Sequence, residues 1–473
     1  MTDVERLVTE ALGARIVPPP DDPMAVARAY IADRYGELLL RHHRGVFYQW
    51  DGTCWPDVDD GRVRSDLSLW LEDATYWKPT TKDGSPELVR FKPTRNKIVN
   101  VVEALRAIGY LNAALSPPVW LTDVRRPPAA EHVSMANGIL HLPSRTMISH
   151  TPEFFAAHAL PFAYQPRATT PTRWLRFLSE LWPDDVEQIE VLGELFGYVL
   201  SGATRQQKLF MVTGPTRSGK GTIARVLTGL LGAHNVAGPT LASLTSNFGL
   251  SPLIGKPLAV VSDARLSGRS DRLVAVERLL SISGEDALTI DRKYLDPWTG
   301  TLPTRFLILS NELPRLTDSS GALAGRFVLF TLRENFYGRE DPNLTEALLV
   351  EAPGIFNWAL DGLDRLSERG YFVRPAASED AIQQLEDLAS PIAAFIRDRC
   401  ELDADYEVDK NVLYRAWVGW CELEGQARPA GTAMFGRDLF AADPRIAASR
   451  PRGSGDEKER RRVYTGIRLK DEL

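Results

Sequence analysis

Residues 214–222, GPTRSGKGT, decide the fold of the central part of the chain. They follow the apolar run KLFMV (residues 208–212) and precede IARVLTGLL (residues 223–231), whose apolar side chains recur at helical spacing. In such a loop the glycines let the backbone present its N–H groups to phosphate oxygens, and the N-terminus of the next helix attracts negative charge. The order strand, loop, helix therefore predicts a phosphate-binding loop.

The loop departs from the usual pattern at one position, because Gly221 stands where Ser or Thr normally follows the lysine. We expect Lys220 to bind the β- and γ-phosphates of ATP, and Thr222 to offer its hydroxyl to Mg²⁺ directly or through a water. A GKGT ending also occurs in nucleoside monophosphate kinases, so the loop alone leaves a kinase and an ATP-driven motor open. The predicted nucleotide-binding residues are Gly214, Pro215, Thr216, Arg217, Ser218, Gly219, Lys220, Gly221 and Thr222.

Two further apolar runs end in polar side chains that suit ATP hydrolysis. PLAVVSD places Asp263 after a strand, where an acid is expected to hold the Mg²⁺ ion through its water shell. TRFLILSN ends in Asn311, which is placed to orient an attacking water near the γ-phosphate. Either residue alone suits a turn, but together they favour hydrolysis over phosphate transfer to a second nucleotide.

Arg326 opens the next apolar run, RFVLFTL. A charge at this place is either a solvated strand end or an arginine finger that reaches the nucleotide of a neighbouring subunit. The second role needs a planar guanidinium that is always protonated. The predicted catalytic set is therefore Lys220, Asp263, Asn311 and Arg326, with Thr222 and Asp263 at the metal.

The composition limits the classes of protein that remain. The chain has 473 residues, of which 44% are hydrophobic and 25% charged, and this is typical of a globular protein with about three domains. The net charge of -6 provides no overall positive field, so binding of nucleic acid depends on local basic patches. Cys54, Cys400 and Cys421 have no CxxC spacing, which argues against a zinc site and suits a reducing compartment.

No targeting signal is expected to direct the chain away from the cytoplasm. The N-terminus has no basic segment followed by an apolar core, and no apolar run approaches the roughly 18 residues of a membrane span. The chain ends in KDEL, which matches an endoplasmic-reticulum retention address. Since that address works only behind a signal peptide, we interpret the match as chance and expect no membrane association.

Changes along the sequence predict three domains, at residues 1–165, 166–370 and 371–473. The first is α+β, with one β-hairpin around Asp51 and Gly52 and another at residues 137–147, and its aromatic residues are expected mainly in the core. The second alternates short apolar runs with helical patterns, which predicts an α/β fold with a parallel sheet. The third has helices, a basic loop and a terminal strand, which is typical of a winged helix.

The motifs GPTRSGKGT, AVVSDAR, GEDALTIDRKY, LILSNELP and GALAGRF, in this order, resemble the superfamily 3 helicase domain of phage, plasmid and poxvirus primase-helicases. NGILHLPSRTMISHTPEFF and the hairpin with Trp50 and Trp55 resemble the N-terminal module of that family, and residues 413–469 resemble its winged helix. The resemblance implies an AAA+-like P-loop NTPase core. It also implies an ATP-driven, ring-forming DNA helicase, typically a hexamer, of a phage, prophage or phage satellite in the cytoplasm of a bacterial host.

The resemblance also assigns roles to single residues. Lys220 corresponds to the phosphate lysine, Asp263 to the metal-site acid, Asn311 to the sensor and Arg326 to the finger acting in trans. Residues 288–294 would form a hairpin that lines the ring channel and touches single-stranded DNA, although a solvated loop also fits them. The DNA-binding residues predicted in this hairpin, and in the basic wing that would contact duplex DNA, are Arg292, Lys293, Arg460, Arg461 and Arg462.

Two departures from the family pattern leave questions open. Ala264 follows Asp263 where many relatives carry a second acid, so the residue that activates water is open between Glu277 and Glu312. Residues 1–165 contain no clear pair of metal-binding acids, so we do not expect a primase. The alternatives are an origin-binding ATPase that remodels DNA without separating strands and, more distantly, a small-molecule kinase. Polarity, origin sequence, ring size and any primase, initiator or loading partner do not follow from the sequence.

Overall fold

The computed structural model describes residues 15–79, 86–123, 125–262, 269–293, 295–314, 316, 322–423, 431–449 and 462–470. The chain forms two compact units, one of Met1–Arg167 together with Tyr294–Trp298, and one of Ala168–Lys293 together with Thr299–Leu473. The three domains predicted from the sequence, with boundaries at residues 165 and 370, stay a prediction.

The first unit combines helices with small sheets, which are antiparallel except where Ala159–Leu160 pairs in parallel with residues 134–135. The helices of this unit supply much of a core that includes Val26, Leu67, Trp70 and Val101. Its helices are α1 (Pro23–Tyr35), α2 (Asp60–Glu72) and α3 (Arg95–Ile108). Its strands are β1 (Leu40–His43), β2 (Val46–Gln49), β3 (Asp57–Val58), β4 (Thr75–Lys78), β5 (Glu87–Arg90), β6 (Val119–Trp120), β7 (His132–Met135), β8 (Gly138–His141), β9 (Thr146–Ile148), β10 (Phe154–Phe155) and β11 (Ala159–Leu160).

Both hairpins predicted in this unit are present. In the first, the N–H of Asp51 donates to the carbonyl of Cys54 at 3.1 Å, and the Asp51 carboxylate accepts from the N–H groups of Thr53 and Cys54. In the second, β8 pairs with β9 in antiparallel register. Trp55 is completely buried. The prediction that these aromatic residues serve the core is therefore confirmed for Trp55.

The second unit contains a parallel sheet, its covering helices and a C-terminal part. Its helices are α4 (Thr172–Leu181), α5 (Val186–Leu200), α6 (Lys220–Leu231), α7 (Leu241–Leu244), α8 (Arg269–Ser283), α9 (Ala322–Arg326), α10 (Leu344–Leu349), α11 (Ala352–Arg369), α12 (Glu379–Ala389), α13 (Pro391–Arg399), α14 (Lys410–Leu423) and α15 (Thr432–Ala442). The strands are β12 (Leu209–Thr213), β13 (Val236–Ala237), β14 (Leu258–Val261), β15 (Leu288–Arg292), β16 (Leu295–Gly300, which belongs to this unit only from Thr299), β17 (Arg305–Ser310), β18 (Phe327–Thr331), β19 (Cys400–Glu401), β20 (Glu407–Asp409), β21 (Ala447–Ser449), β22 (Val463–Thr465) and β23 (Arg468–Leu469).

The central sheet has five strands in the order β13-β14-β17-β12-β18, and every neighbouring pair is parallel. All five residues of β12 are buried, as expected for a strand that is covered on both faces. The predicted parallel sheet is thus confirmed. Because the strands are parallel, their C-terminal ends lie together at one edge, which we call the carboxyl edge, and their N-terminal ends form the opposite, amino edge.

The C-terminal part of the second unit has a core of its own. Helices α13, α14 and α15 contribute Phe395, Trp417 and Phe435, and Tyr464 on β22 completes the cluster. The strands form an antiparallel sheet in the order β20-β22-β21, and β19 pairs with β23. The predicted terminal strand at Val463 is therefore confirmed, and it lies at the centre of this small sheet.

Two general properties of the described residues bear on the sequence analysis. No helix among them has both the length and the apolar character needed to cross a bilayer. Cys54, Cys400 and Cys421 are buried free thiols, and burial raises the pKa of Cys400 to about 12, so its thiol stays protonated at neutral pH.

Candidate functional site

The stretch of residues 214–222, called the phosphate loop below, follows β12 at the carboxyl edge and includes the first residues of α6. Its backbone adopts left-handed conformations at Gly214, Arg217 and Gly219, with φ values of 152°, 60° and 92°. Gly214 also lies against the main chain, because an added Cβ atom would be 2.5 Å from the carbonyl oxygen of Leu332. Both glycines are therefore required by the conformation of the loop itself.

The ammonium group of Lys220 is turned into the phosphate loop. Its Nζ donates to the carbonyls of Gly214 at 2.7 Å and Pro215 at 2.6 Å, and to the Ser218 hydroxyl at 3.2 Å. Burial lowers the pKa of this lysine from its ordinary value. None of these three partners is a carboxylate, so the positive charge is solvated by the loop but not neutralised by it, and the arrangement suits an anion at this place.

The Thr222 hydroxyl, predicted to face the metal, accepts a hydrogen bond from Nη2 of Arg225 at 3.1 Å. The same guanidinium donates through Nε to the Thr345 hydroxyl on α10 at 3.0 Å. It also lies over Gly221, where an added Cβ atom would be 2.9 Å from Nη1. Arg225 was not among the residues predicted from the sequence, although its spacing of about one helical turn from Gly221 and Thr222 was a usable signal.

Asn311 lies beside the start of the phosphate loop. In the pairing of β12 with β17, Thr213 is opposite Ser310, so the residues that follow them, Gly214 and Asn311, leave the sheet at the same edge. The Asn311 side chain is exposed. The sequence prediction of a polar group next to the loop is thus matched by the strand register, while its role as a sensor stays a prediction.

The residues proposed to hold the metal or to activate water are only partly described. Strand β14 leads to Ser262 at the carboxyl edge, and Asp263 itself lies outside the described residues. The side chains of Glu277 on α8 and Glu312 after β17 are exposed. The described residues contain no group of three His, Cys, Asp or Glu side chains arranged to hold a metal ion.

Arg326 lies at the opposite edge from the phosphate loop. It is the last residue of α9 and directly precedes Phe327, which pairs with Leu209 at the amino end of β12. A strand of this length spans about 16 Å, so the side chain does not reach the phosphate loop of its own subunit. Its Nη1 instead donates to the carbonyl of Leu280 at 2.6 Å and to the Ser283 hydroxyl at 2.7 Å.

The segment after β18 folds back along the phosphate loop. The N–H of Phe336 donates to the carbonyl of Arg217 at 2.9 Å, and the Arg217 guanidinium pairs with Glu340 at 2.6 Å. The same guanidinium lies 5.7 Å from the ring centre of Tyr337, which is 77% exposed. These contacts were not predicted from the sequence, because no local pattern relates positions so far apart in the chain.

Of the hairpin predicted at residues 288–294, Leu288–Arg292 form strand β15, which belongs to a two-stranded sheet that continues beyond the predicted bounds. The Thr289 and Thr299 hydroxyls are 3.2 Å apart across this sheet. Lys293 lies in the turn and is exposed, whereas Arg292 is half-buried. Their predicted contact with DNA stays a prediction.

The predicted basic wing is partly neutralised by pairing. Arg445 is bonded to Asp443 through two nitrogens, at 2.9 and 2.6 Å, and Arg468 pairs with Glu401 at 2.5 Å. Arg462 is exposed, while Arg460 and Arg461 lie outside the described residues.

Two family models match the chain. Residues 28–183 match a family described as D5 N terminal like. Residues 212–326 match DUF5906, described as a family of unknown function, and this stretch contains the phosphate loop, Asn311 and Arg326.

The fold is similar to that of solved structures of the NrS-1 C terminal region. The apo structure of the NrS-1 C terminal region has a TM-score of 0.50 at 12% identity, and the alignment covers 90% of this chain and 87% of that chain. An A form apo structure of the same region has a TM-score of 0.49 at 13% identity, over 90% of this chain and 88% of that chain. At such low identity the likeness concerns the mixed α/β fold alone.

The D5 N-terminal-like region precedes the region that carries the phosphate loop, in the order that the sequence motifs indicated. These matches bear out the resemblance to the phage primase-helicase family that was predicted from the sequence.

Proposed function

We propose that this protein is an ATP-dependent, ring-forming DNA helicase that serves the replication of a phage, prophage or phage satellite. The observation that carries the proposal is that neutral oxygens hold the Lys220 ammonium inside the phosphate loop. Asn311 follows the neighbouring strand β17 at the same edge of the sheet. ATP offers the phosphates that would take over the contacts of Lys220, and the N-terminus of α6 adds a favourable dipole.

A P-loop core of the AAA+ type is the fold that this site would need. The carboxyl edge brings together the phosphate loop and Asn311, and β14 ends at the same edge, close in sequence to the proposed metal ligand Asp263. Thr222 is the second proposed metal ligand, with Mg²⁺ as the ion. Its hydroxyl accepts one hydrogen bond from Arg225, which leaves the second lone pair of the oxygen for the ion or for a water of its shell.

DNA contact is proposed at two places. Lys293, with Arg292, would touch single-stranded DNA in the channel of a hexameric ring. The C-terminal helices with the sheet β20-β22-β21 would act as a winged helix, in which Arg460, Arg461 and Arg462 contact duplex phosphates. Arg326, which lies far from its own phosphate loop, would complete the ATP site of the neighbouring subunit.

A strand-displacement assay on a forked duplex, with ATP, with ADP and without nucleotide, tests the proposal. A helicase separates the strands only with ATP. DNA-stimulated ATP hydrolysis without strand separation would favour the alternative, an origin-binding ATPase that remodels DNA. Absence of ATP hydrolysis, with and without DNA, would contradict both.

A further inference from the structure

The residue after Lys220 raises a question that the phosphate loop alone does not answer. A Ser or Thr hydroxyl at this position normally helps to bind Mg²⁺, whose charge offsets that of the phosphates. Here the position is Gly221, and the space that a side chain would need is taken by the Arg225 guanidinium, 2.9 Å from the place of a Cβ atom. The missing hydroxyl and the added cation therefore occur at one place.

Two hydrogen bonds to residues of different helices hold this guanidinium. Nη2 donates to Thr222 at the start of α6, and Nε donates to Thr345 on α10. These bonds use only two of the several N–H donors that a guanidinium carries. Neither partner is a carboxylate, so the positive charge of Arg225 is not neutralised by the groups that hold it.

We propose that Arg225 contacts the phosphates of the nucleotide bound in the phosphate loop and supplies there part of the charge that a hydroxyl-bound Mg²⁺ supplies in related loops. The proposal rests on the proposed function, since it needs a nucleotide in this loop. A planar guanidinium matches the geometry of phosphate oxygens and stays protonated at any physiological pH. Nucleotide binding should therefore depend less on Mg²⁺ than the loop motif alone indicates.

The test measures the dissociation constant of a fluorescent ATP analogue in EDTA and with Mg²⁺, for the whole protein and five variants. Arg225→Gln keeps much of the side-chain length but removes the charge, and Arg225→Lys restores it. Arg437→Gln makes the same change at an exposed arginine of α15 and is the matched control. Lys220→Ala reports whether the nucleotide is in the phosphate loop at all. Thermal unfolding of each variant checks that it is folded.

In EDTA, Arg225→Gln should weaken binding about 10-fold, because a charge-assisted hydrogen bond is lost, and Mg²⁺ should recover part of that loss. In EDTA, the dissociation constant of Arg225→Lys should stay within about threefold of that of the natural protein, and that of Arg437→Gln should be unchanged. Gly221→Ser gives an independent variant. Its side chain would displace the guanidinium, so it should weaken binding in EDTA and increase the gain on adding Mg²⁺.

One result would contradict only the role of Arg225, and another would contradict the proposed function as well. If Arg225→Gln binds as the natural protein does in both conditions while Lys220→Ala loses binding, the loop holds nucleotide without Arg225, and only this inference fails. If the analogue binds equally well to the Lys220→Ala protein, or does not bind to the natural protein, the proposed function fails and this inference fails with it.

Discussion

The two edges of the central sheet use positive charge in opposite ways. At the carboxyl edge, Lys220 and Arg225 are held by neutral oxygens in and beside an open loop. At the amino edge, three cations donate to groups of the fold itself: Lys208 to the carbonyl of Gly325, Arg326 to that of Leu280, and Arg305 to several carbonyls. The cations of the amino edge join elements that are far apart in the chain, whereas Lys220 bonds only within its own loop, where we propose that an anion binds.

Arg305 shows the second arrangement most fully. It is 3% exposed, and its Nη1 donates to the carbonyls of Pro303 at 2.5 Å and Pro257 at 3.2 Å, while Nη2 reaches the carbonyl of Tyr198 at 3.4 Å. Burial lowers its pKa to about 10, so the side chain is still charged at neutral pH. It connects the starts of β17 and β14 with the end of α5.

The largest expected effect comes from comparing alanine variants of two lysines, Lys220 at the carboxyl edge and Lys208 at the amino edge. Lys220→Ala should lower ATP hydrolysis by at least about 10²–10³-fold, because it removes a preorganised phosphate contact, and should leave the fold intact. Lys208→Ala, at the other end of the same strand, should hydrolyse ATP normally and lose about 1 kcal/mol of stability. ATPase rates and urea unfolding of both variants test this pair. Hydrolysis by folded Lys220→Ala at the natural rate would place the nucleotide site elsewhere.

Arg305→Ala should show how strongly the amino edge depends on its buried cation. Removing the side chain leaves a cavity and takes the donor from buried carbonyls, so the free energy of unfolding should fall by about 3 kcal/mol. Arg225→Ala, an exposed arginine of the carboxyl edge, should change it by less than about 0.5 kcal/mol. Urea unfolding measures both. If Arg305→Ala were as stable as the natural protein, the free-energy cost of desolvating the buried charge would equal the stabilisation that its hydrogen bonds provide.

The C-terminal part contains both paired and exposed arginines at its surface. Arg445 and Arg468 are paired with carboxylates, as the cations of the amino edge are paired with carbonyls, whereas Arg462 is exposed next to the predicted basic stretch. Alanine at Arg460, Arg461 and Arg462 should weaken duplex binding about 10-fold and flatten its salt dependence by up to about three units, because phosphate contacts release counterions.

The matched control for this triple variant replaces the paired arginines Arg445 and Arg468. Since each already has a carboxylate partner, the double variant should keep nearly the same slope of log affinity against log salt. ATPase without DNA should be unchanged in both proteins. If the triple variant keeps its affinity and slope, duplex contact by the proposed wing is ruled out and only the hairpin with Lys293 remains as a DNA contact.

The features predicted correctly from the sequence are those that a short stretch determines by itself. Apolar runs such as LFMVT and RFLILS specify buried strands, and their alternation with helices specifies parallel pairing. Gly214 and Gly219 mark the turns of the phosphate loop, and the strand register then places Asn311 beside it.

The features that were missed depend on residues far apart in the chain. The contacts of Arg217 with Glu340 and of Arg305 with Tyr198 leave no local pattern, because the fold alone brings these positions together. The partners of Arg326 could not be inferred for the same reason. The sequence shows that a charged residue is present, but not that it donates to the carbonyl of Leu280. Arg225 differs, because helical spacing alone relates it to Gly221.

Ser283→Ala distinguishes a structural from a catalytic use of Arg326. The Ser283 hydroxyl is one of the two groups that Arg326 contacts in its own subunit. Losing it should cost about 1 kcal/mol of stability and leave the ATPase rate of the folded protein unchanged, because the guanidinium itself remains. A fall in ATPase rate as large as that of Arg326→Ala would indicate that the local anchor is what hydrolysis needs.

Mixing two inactive proteins tests directly whether Arg326 serves the carboxyl edge of a neighbour. The Arg326→Ala protein keeps an intact phosphate loop, and the Lys220→Ala protein keeps Arg326. An interface between the two can therefore combine an intact phosphate loop with an intact Arg326 from the neighbouring subunit. In rings assembled at random from equal amounts, about a quarter of the interfaces have this composition, and ATPase activity should recover to about that fraction of the natural rate. Mass spectrometry of the intact assemblies would establish that the rings are mixed. No recovery in mixed rings would assign Arg326 to the amino edge alone, where its bonds to Leu280 and Ser283 already join α8 to the start of β18.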